Sequence, residues 1–327
     1  MINFFKNLNP LNILWLILIL FALRAGYLLS APGKAIPLLT GPLISIWFPA
    51  GYGVISPFFN ILLAAIIVLA QALLLNRLVN HFNLIGKPSF LPALMYITVS
   101  GLFTQFLIVS PPLICNFLVI WMLFKVLSFY KSKEARSTAF DLGMIVAIGT
   151  LIYLPFIFLF LVICIGLVIF KSFDWREWLA GILGFITIFF FLAVYYFLTS
   201  DLSQFVVMWQ PLAAKLPQAV NINYYDYLVL IPVAVILMLC FFKLQQNFYK
   251  SYIQVRKSFQ LLMIMLLIVA LTFYIKAAFQ LPHFLLCAVP ASVFFSYYFL
   301  YAKRKWFYEV LFGLLLIMIV YFQFNTF

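Results

Sequence analysis

Arg24 lies near the outer end of the first apolar run, and Lys34, Lys215, Lys276 and His283 fall on the same face once the apolar runs are taken as membrane spans. A guanidinium grips a phosphate with a planar fork of donors. Lysines and a histidine beside it would complete an outward site for an anionic head group. Each of these bases also reads as ordinary solvated charge, and Arg24 can instead snorkel its long stem to the interface. Left unpaired at membrane depth, such a charge costs about 2.5–3.5 kcal/mol on insertion scales. Asp201 and Asp226 are the only acids on that face, flanking the segment 200–226. A carboxylate there serves either as a general base or as a cap at a helix boundary.

Other chemistries find little material. There is no phosphate-cradling glycine loop and no nucleophile elbow, and the two histidines stand far apart at 81 and 283. Of the seven acids, Glu134, Asp141, Asp174, Glu177 and Glu309 fall on or near the opposite face, so neither a metal site nor a cofactor is expected. Cys115, Cys164, Cys240 and Cys287 lie inside apolar runs without the pairing of a zinc or redox motif. They read as small core residues.

The elements that must position these groups are transmembrane helices. With 67% hydrophobic and 8% charged residues and a mean hydropathy of +1.18, the chain cannot cover a water-soluble globule of its size. An all-α, polytopic membrane fold follows. A span needs roughly 20 apolar residues, and the runs place spans at about 11–30, 56–76, 91–108, 113–130, 178–199, 227–242, 259–275, 283–301 and 307–325. Taken as one helix, the longer run 140–170 would put the loop Lys171 to Arg176 outside and move every later basic loop to the other side as well. Splitting it at Tyr153-Leu154-Pro155 into two short helices that enter and return gives about eleven hydrophobic segments. Helices of that kind need shelter among other spans. The split also keeps sixteen of the twenty basic residues on one face, which predicts a cytoplasmic N-terminus and a periplasmic C-terminus in a bacterial inner membrane. The net charge of +13 is thereby explained by short loops and anionic lipid rather than nucleic acid.

Two external segments are long. Residues 31–55 are apolar but broken by Pro32, Pro37, Pro42, Pro49 and four glycines, and suit the interface. Residues 200–226 predict short interfacial helices. Trp175, Trp178, Trp209 and Trp306 sit at predicted boundaries, as interfacial tryptophans do. Gln71, Gln105 and Asn116 predict hydrogen bonds between helices, and Pro111-Pro112 a tight outer turn.

This pattern resembles the GT-C class of membrane glycosyltransferases, which use polyprenyl-phosphate sugars at the outer face. The resemblance rests on the long first external loop, the paired helices around Pro155 followed by Lys171 to Trp178 and a long helix, and the stretch Leu281-Pro282-His283-Phe284-Leu285-Leu286-Cys287-Ala288-Val289-Pro290. It covers much of residues 1–300 as topology. In overall texture the chain is also similar to a family of Bacteroidota integral membrane proteins without an assigned activity. The GT-C class usually keeps an acid in its first external loop, and none occurs between Ala31 and Ile55. The resemblance therefore implies that Asp201, Asp226 or His283 would deprotonate the acceptor, or that the chain binds a lipid-linked substrate without transferring it.

The expectation is a GT-C-like core over 1–242 and C-terminal transmembrane helices over 243–327. Its role would be to bind a polyprenyl-phosphate-type lipid through Arg24, Lys34, Lys215, Lys276 and His283. The alternatives are a structural or accessory subunit of a cell-envelope membrane complex, with a membrane-protein partner, or a transporter. The scarcity of polar residues within the spans speaks against the transporter.

Overall fold

The computed structural model describes residues 1–29, 36–37, 54–130, 135–171, 173–199, 202–207, 209, 226–247, 251–272 and 281–324. Among these, the architecture is helical apart from one two-residue antiparallel pair, β1 (Ile36–Pro37) with β2 (Val54–Ile55), in the register Ile36 to Ile55. A four-residue turn of helix, α1 (Ile2–Phe5), precedes α2 (Asn12–Ala22) and α3 (Ala25–Leu29). The following helices are α4 (Pro57–His81), α5 (Leu91–Val99), α6 (Pro111–Ser128), α7 (Ala135–Ile152), α8 (Phe160–Phe170), α9 (Trp175–Leu198) and α10 (Leu202–Val207). The chain closes with α11 (Leu230–Asn247), α12 (Ile253–Leu271), α13 (Ala288–Tyr301) and α14 (Lys305–Phe324). Eight helices are long and apolar enough to cross a membrane, α13 being counted with the 3-10 turn Leu281–Cys287 that leads into it. The chain is a multi-pass membrane protein.

Contacts between distant residues define two ends. At one, Phe90 N donates to Phe5 O, the Tyr308 hydroxyl to Asn3 Oδ1 at 2.8 Å, and the Tyr301 hydroxyl to Ile85 O at 3.2 Å. Lys6 Nζ lies 4.5 Å from the Tyr308 ring centre there. At the other end, Val109 N meets Asn60 Oδ1 at 2.8 Å, and Gln323 Nε2 donates to Leu23 O. The three ion pairs among the described residues, Met1 amine with Glu309, Lys125 with Asp141 and Arg136 with Asp174, belong to the first, basic end.

The run 140–170 divides where the sequence predicts. Helix α7 stops at Ile152, Tyr153 is extended (φ −143°, ψ 106°), and Leu154–Leu159 forms a 3-10 turn with Pro155 in its first positions. Phe156 folds back until its ring covers Gly149, where a Cβ would collide with it. The chain then returns through α8 to Lys171. Arg136, at the start of α7, lies 3.6 Å from Asp174, which caps the start of α9 by accepting from Arg176 N. Helices α7 and α9 therefore run parallel, with the returning limb between them in sequence. One correction applies: the limbs are not both short, because α7 alone has 18 residues and is long enough to cross.

Helices α7 and α9 touch backbone to backbone. A Cβ on Gly143 would strike Gly181 O and come within 2.8 Å of Phe185 N, and one on Gly184 would strike Phe140 O. Ala139, Gly143 and Ala147 form a stripe at four-residue spacing on α7, the small-residue pattern that lets membrane helices approach closely. Further along, Ala147 and Leu151 pack on Phe189.

A second correction concerns the span expected at 91–108. The helix there ends after nine residues, all of them buried. Ile97-Thr98-Val99 is a β-branched run that loses side-chain freedom in a helix. Thr98 Oγ1 and Ser100 Oγ turn back onto Leu94 O and Ile97 O, and Gly101 follows. A short 3-10 turn, Thr104–Phe106, leads to α6, which opens on Pro111-Pro112, where missing N–H groups leave no donors to satisfy. Helix α5 survives at this depth because α4 and α13 wall it in; in α13 every residue from Ala288 to Phe299 is buried. One continuous hydrophobic cluster runs from Ile2 to Ile319.

Candidate functional site

Between Val99 and Pro111 the backbone is irregular apart from the 3-10 turn Thr104–Phe106, so its remaining polar groups need partners that lipid cannot supply. Arg24, 2% exposed at the turn between α2 and α3, provides one. Its Nη1 donates to Leu107 O at 3.0 Å and to Ile61 O at 3.3 Å, joining the unwound segment to the first turns of α4. Asn60 supplies another by accepting from Val109 N.

These bonds leave donors over. Arg24 Nη2, Asn60 Nδ2 and Ser110 Oγ are all buried without a hydrogen-bond partner. The three belong to one neighbourhood, since Arg24 is bonded beside Asn60 at Ile61, and Asn60 is bonded beside Ser110 at Val109. None of the described ion pairs neutralises the guanidinium. A buried cation with a free donor edge, flanked by an amide N–H and a hydroxyl, matches the donor set that holds a phosphate or carboxylate oxygen. Leu102, Phe103 and Gln323, the last bonded to Leu23 O, line a cavity of about 30 Å³, enough for one water-sized group, though none of the three donors is among its lining residues.

His283 occupies a different niche. It is 3% exposed in the 3-10 turn Leu281–Cys287. Its Nε2 lies 2.9 Å from Val269 O and 3.2 Å from Thr272 Oγ1, and its Nδ1 lies 2.9 Å from the Tyr153 hydroxyl. A carbonyl oxygen only accepts, so Nε2 carries the proton and Nδ1 accepts from Tyr153. The ring therefore pins the α7 turn to the end of α12. This departs from the outward role expected of His283: both ring nitrogens are committed to protein.

Of the remaining expected site residues, Lys34, Lys215, Lys276 and Asp201 lie outside the described residues, as does the side chain of Asp226, whose backbone opens the 3-10 turn Asp226–Val229. Within the predicted segment 200–226, α10 is a short helix, and Trp209 stacks on Phe189 with ring centres 4.8 Å apart. Trp175 and Trp306 are exposed at the basic end.

The intramembrane amides behave as interhelical bonds at two of three positions. The Tyr96 hydroxyl donates to Gln71 Oε1 at 2.7 Å, Gln71 Nε2 donates to Leu113 O at 2.6 Å, and Asn116 Nδ2 reaches both the Tyr96 oxygen and Leu285 O. This network ties α4, α5 and α6 to the turn before α13. Gln105 instead sits exposed in the 3-10 turn after α5. Sequence reasoning missed Asn60 and Ser110. Their signal was positional: Ser110 immediately precedes a proline pair, and Asn60 stands in the first turn of a helix facing Arg24.

The chain matches DUF6427, a family of unknown function, over residues 43–327, and it belongs to that family. No curated protein and no solved structure matches it.

Proposed function

We propose that the chain is an inner-membrane protein with a cytoplasmic N-terminus and about eleven hydrophobic segments. Its outer-leaflet end would bind the phosphate of a polyprenyl-phosphate-type lipid as a divergent GT-C-like glycosyltransferase. The observation that carries the reading is the buried guanidinium of Arg24, which no ion pair among the described residues neutralises and whose Nη2 has no partner, while Asn60 Nδ2 and Ser110 Oγ beside it have none either. Burying a cation costs several kcal/mol unless an opposite charge joins it, and a phosphate oxygen would do so. On this reading Lys34, Lys215 and Lys276 steer the head group, and Asp201 or Asp226 serves as base.

The test is binding of a short-chain polyprenyl phosphate to the purified protein. Arg24→Gln should weaken it by at least about tenfold, the effect of losing one charge-assisted bond. Ser110→Ala removes a hydroxyl that holds nothing else, so it should weaken binding while leaving the melting temperature unchanged. Undiminished binding by both variants refutes the site.

A second reading has its own support. Arg24 Nη1 already clamps two carbonyls from separate elements, so the residue can serve architecture alone, in a structural or accessory subunit of a cell-envelope membrane complex. Co-purification of a stoichiometric membrane partner, with no lipid phosphate bound, favours it.

A further inference from the structure

At the basic end, opposite Arg24, a cavity of about 720 Å³ opens between α8, α11, α12 and α13. Its lining changes character with depth. Gln245, Ser251 and Arg256 stand at the mouth, near the ends of α11 and α12, with Gln260 one turn further in, while Phe241, Met263 and Phe294 line the deeper part. Phe259 forms a wall, its ring 5.7 Å from Phe294 and 5.0 Å from Tyr297. Polar groups at the interface and apolar ones below are the profile of an amphiphile.

Charge specifies the head group. Between Asp226 and Glu309 the sequence has no acid, and it has eight bases: Lys243, Lys250, Arg256, Lys257, Lys276, Lys303, Arg304 and Lys305. Among the described elements, only bases therefore flank the mouth on α11 and α12. Depth argues against a partner helix. The stretch of α12 that lines the cavity, Val255–Ile264, rises roughly 15 Å, about half of the ~30 Å hydrocarbon core. A transmembrane partner needs a strip across the whole bilayer, whereas an acyl chain needs one leaflet.

We infer that this groove is a binding site for an anionic phospholipid of the leaflet at the basic end, with its phosphate at Arg256, Gln245 and Ser251 and an acyl chain against Phe259, Met263 and Phe294. The site is separate from Arg24 and does not depend on the function proposed there.

The experiment uses the full chain, delipidated in detergent and titrated with phosphatidylglycerol or phosphatidylcholine of identical chains, with bound lipid counted by native mass spectrometry. Phosphatidylglycerol should bind about fivefold more tightly, the ratio that one basic residue at an anionic head group supplies. Arg256→Gln should abolish that preference, and Met263→Trp or Ile264→Trp should lower the occupancy of both lipids. A phosphatidylglycerol with a photoreactive acyl chain reports location even if a variant fails to fold. Crosslinks should concentrate on Phe259, Met263 and Ile264. Equal affinity for the two lipids, or crosslinks spread over lipid-facing residues such as Phe190 and Phe191 of α9, overturns the inference.

Discussion

Replacing Gly143 by alanine tests whether α7 and α9 are held by direct backbone contact. In an unobstructed helix the change stabilises by up to about 1 kcal/mol, because glycine has the poorer helix propensity. Gly313 on α14 is such a position, since a methyl carbon there would meet nothing within 4 Å. At Gly143 the new carbon meets Gly181 O and Phe185 N, which are backbone atoms and cannot rotate away. The helices must separate, and overpacking of this kind costs about 1–3 kcal/mol. Opposite signs are therefore expected for chemically identical substitutions: Gly313→Ala neutral or stabilising, Gly143→Ala destabilising by up to about 2 kcal/mol after the full propensity gain is offset. Gly184→Ala, which meets Phe140 O, should behave like Gly143→Ala. The double variant should cost less than the sum, since one separation relieves both clashes. Reversible unfolding in mixed micelles, followed by tryptophan fluorescence, measures all four. Equal stability of Gly143→Ala and Gly313→Ala would refute the parallel, contacting arrangement of α7 and α9.

Tyr153→Phe removes the hydroxyl bonded to His283 Nδ1 and should destabilise by about 1 kcal/mol, whereas Thr272→Val, which spares the His283 bond to Val269 O, should cost less; both are read by the same unfolding assay. Tyr96→Phe unpairs Gln71 Oε1 and removes one acceptor from Asn116, for a loss of about 1–3 kcal/mol, and Gln71→Leu in that background should recover part of it. Single cysteines at Leu8 and Phe173, both exposed at the basic end, should resist a membrane-impermeant maleimide in intact cells, while one at Leu202 should react. Labelling of Phe173→Cys from outside would reverse the orientation and remove the site proposed at Arg24 from the outer leaflet.

The membrane class, the break at Tyr153 and the sorting of charge to one end were legible because insertion energetics and proline chemistry act locally on the sequence. The parallel pairing of α7 and α9 was not read from the sequence: Ala139, Gly143, Ala147, Gly181 and Gly184 permit close approach, but small residues name neither the partner nor its direction. The end of α5 at Val99 was missed although Thr98, Ser100 and Gly101 mark it locally, because these few small residues barely lower the hydropathy of the run from Leu91 to Leu107. The role of Arg24 was not legible. Its carbonyl partners at Ile61 and Leu107 are 37 and 83 residues away, and backbone acceptors leave no trace in residue type. His283 was visible as a candidate, but that both nitrogens are engaged depends on Tyr153 and Val269 arriving from other helices.

The nine-residue α5 has a consequence for biogenesis. It is too short to cross by itself, and the wall that encloses it includes α13, which leaves the ribosome about 190 residues later, a delay of roughly 10–40 s at ordinary translation rates. During that interval Arg24 and Asn60, already synthesised, are in place for Leu107 O and Val109 N, but the side of α5 that α13 will cover has no protein neighbour. Helix α5 therefore reaches its full enclosure only after α13 has been made, and the contacts of α4 to α6 must hold it until then.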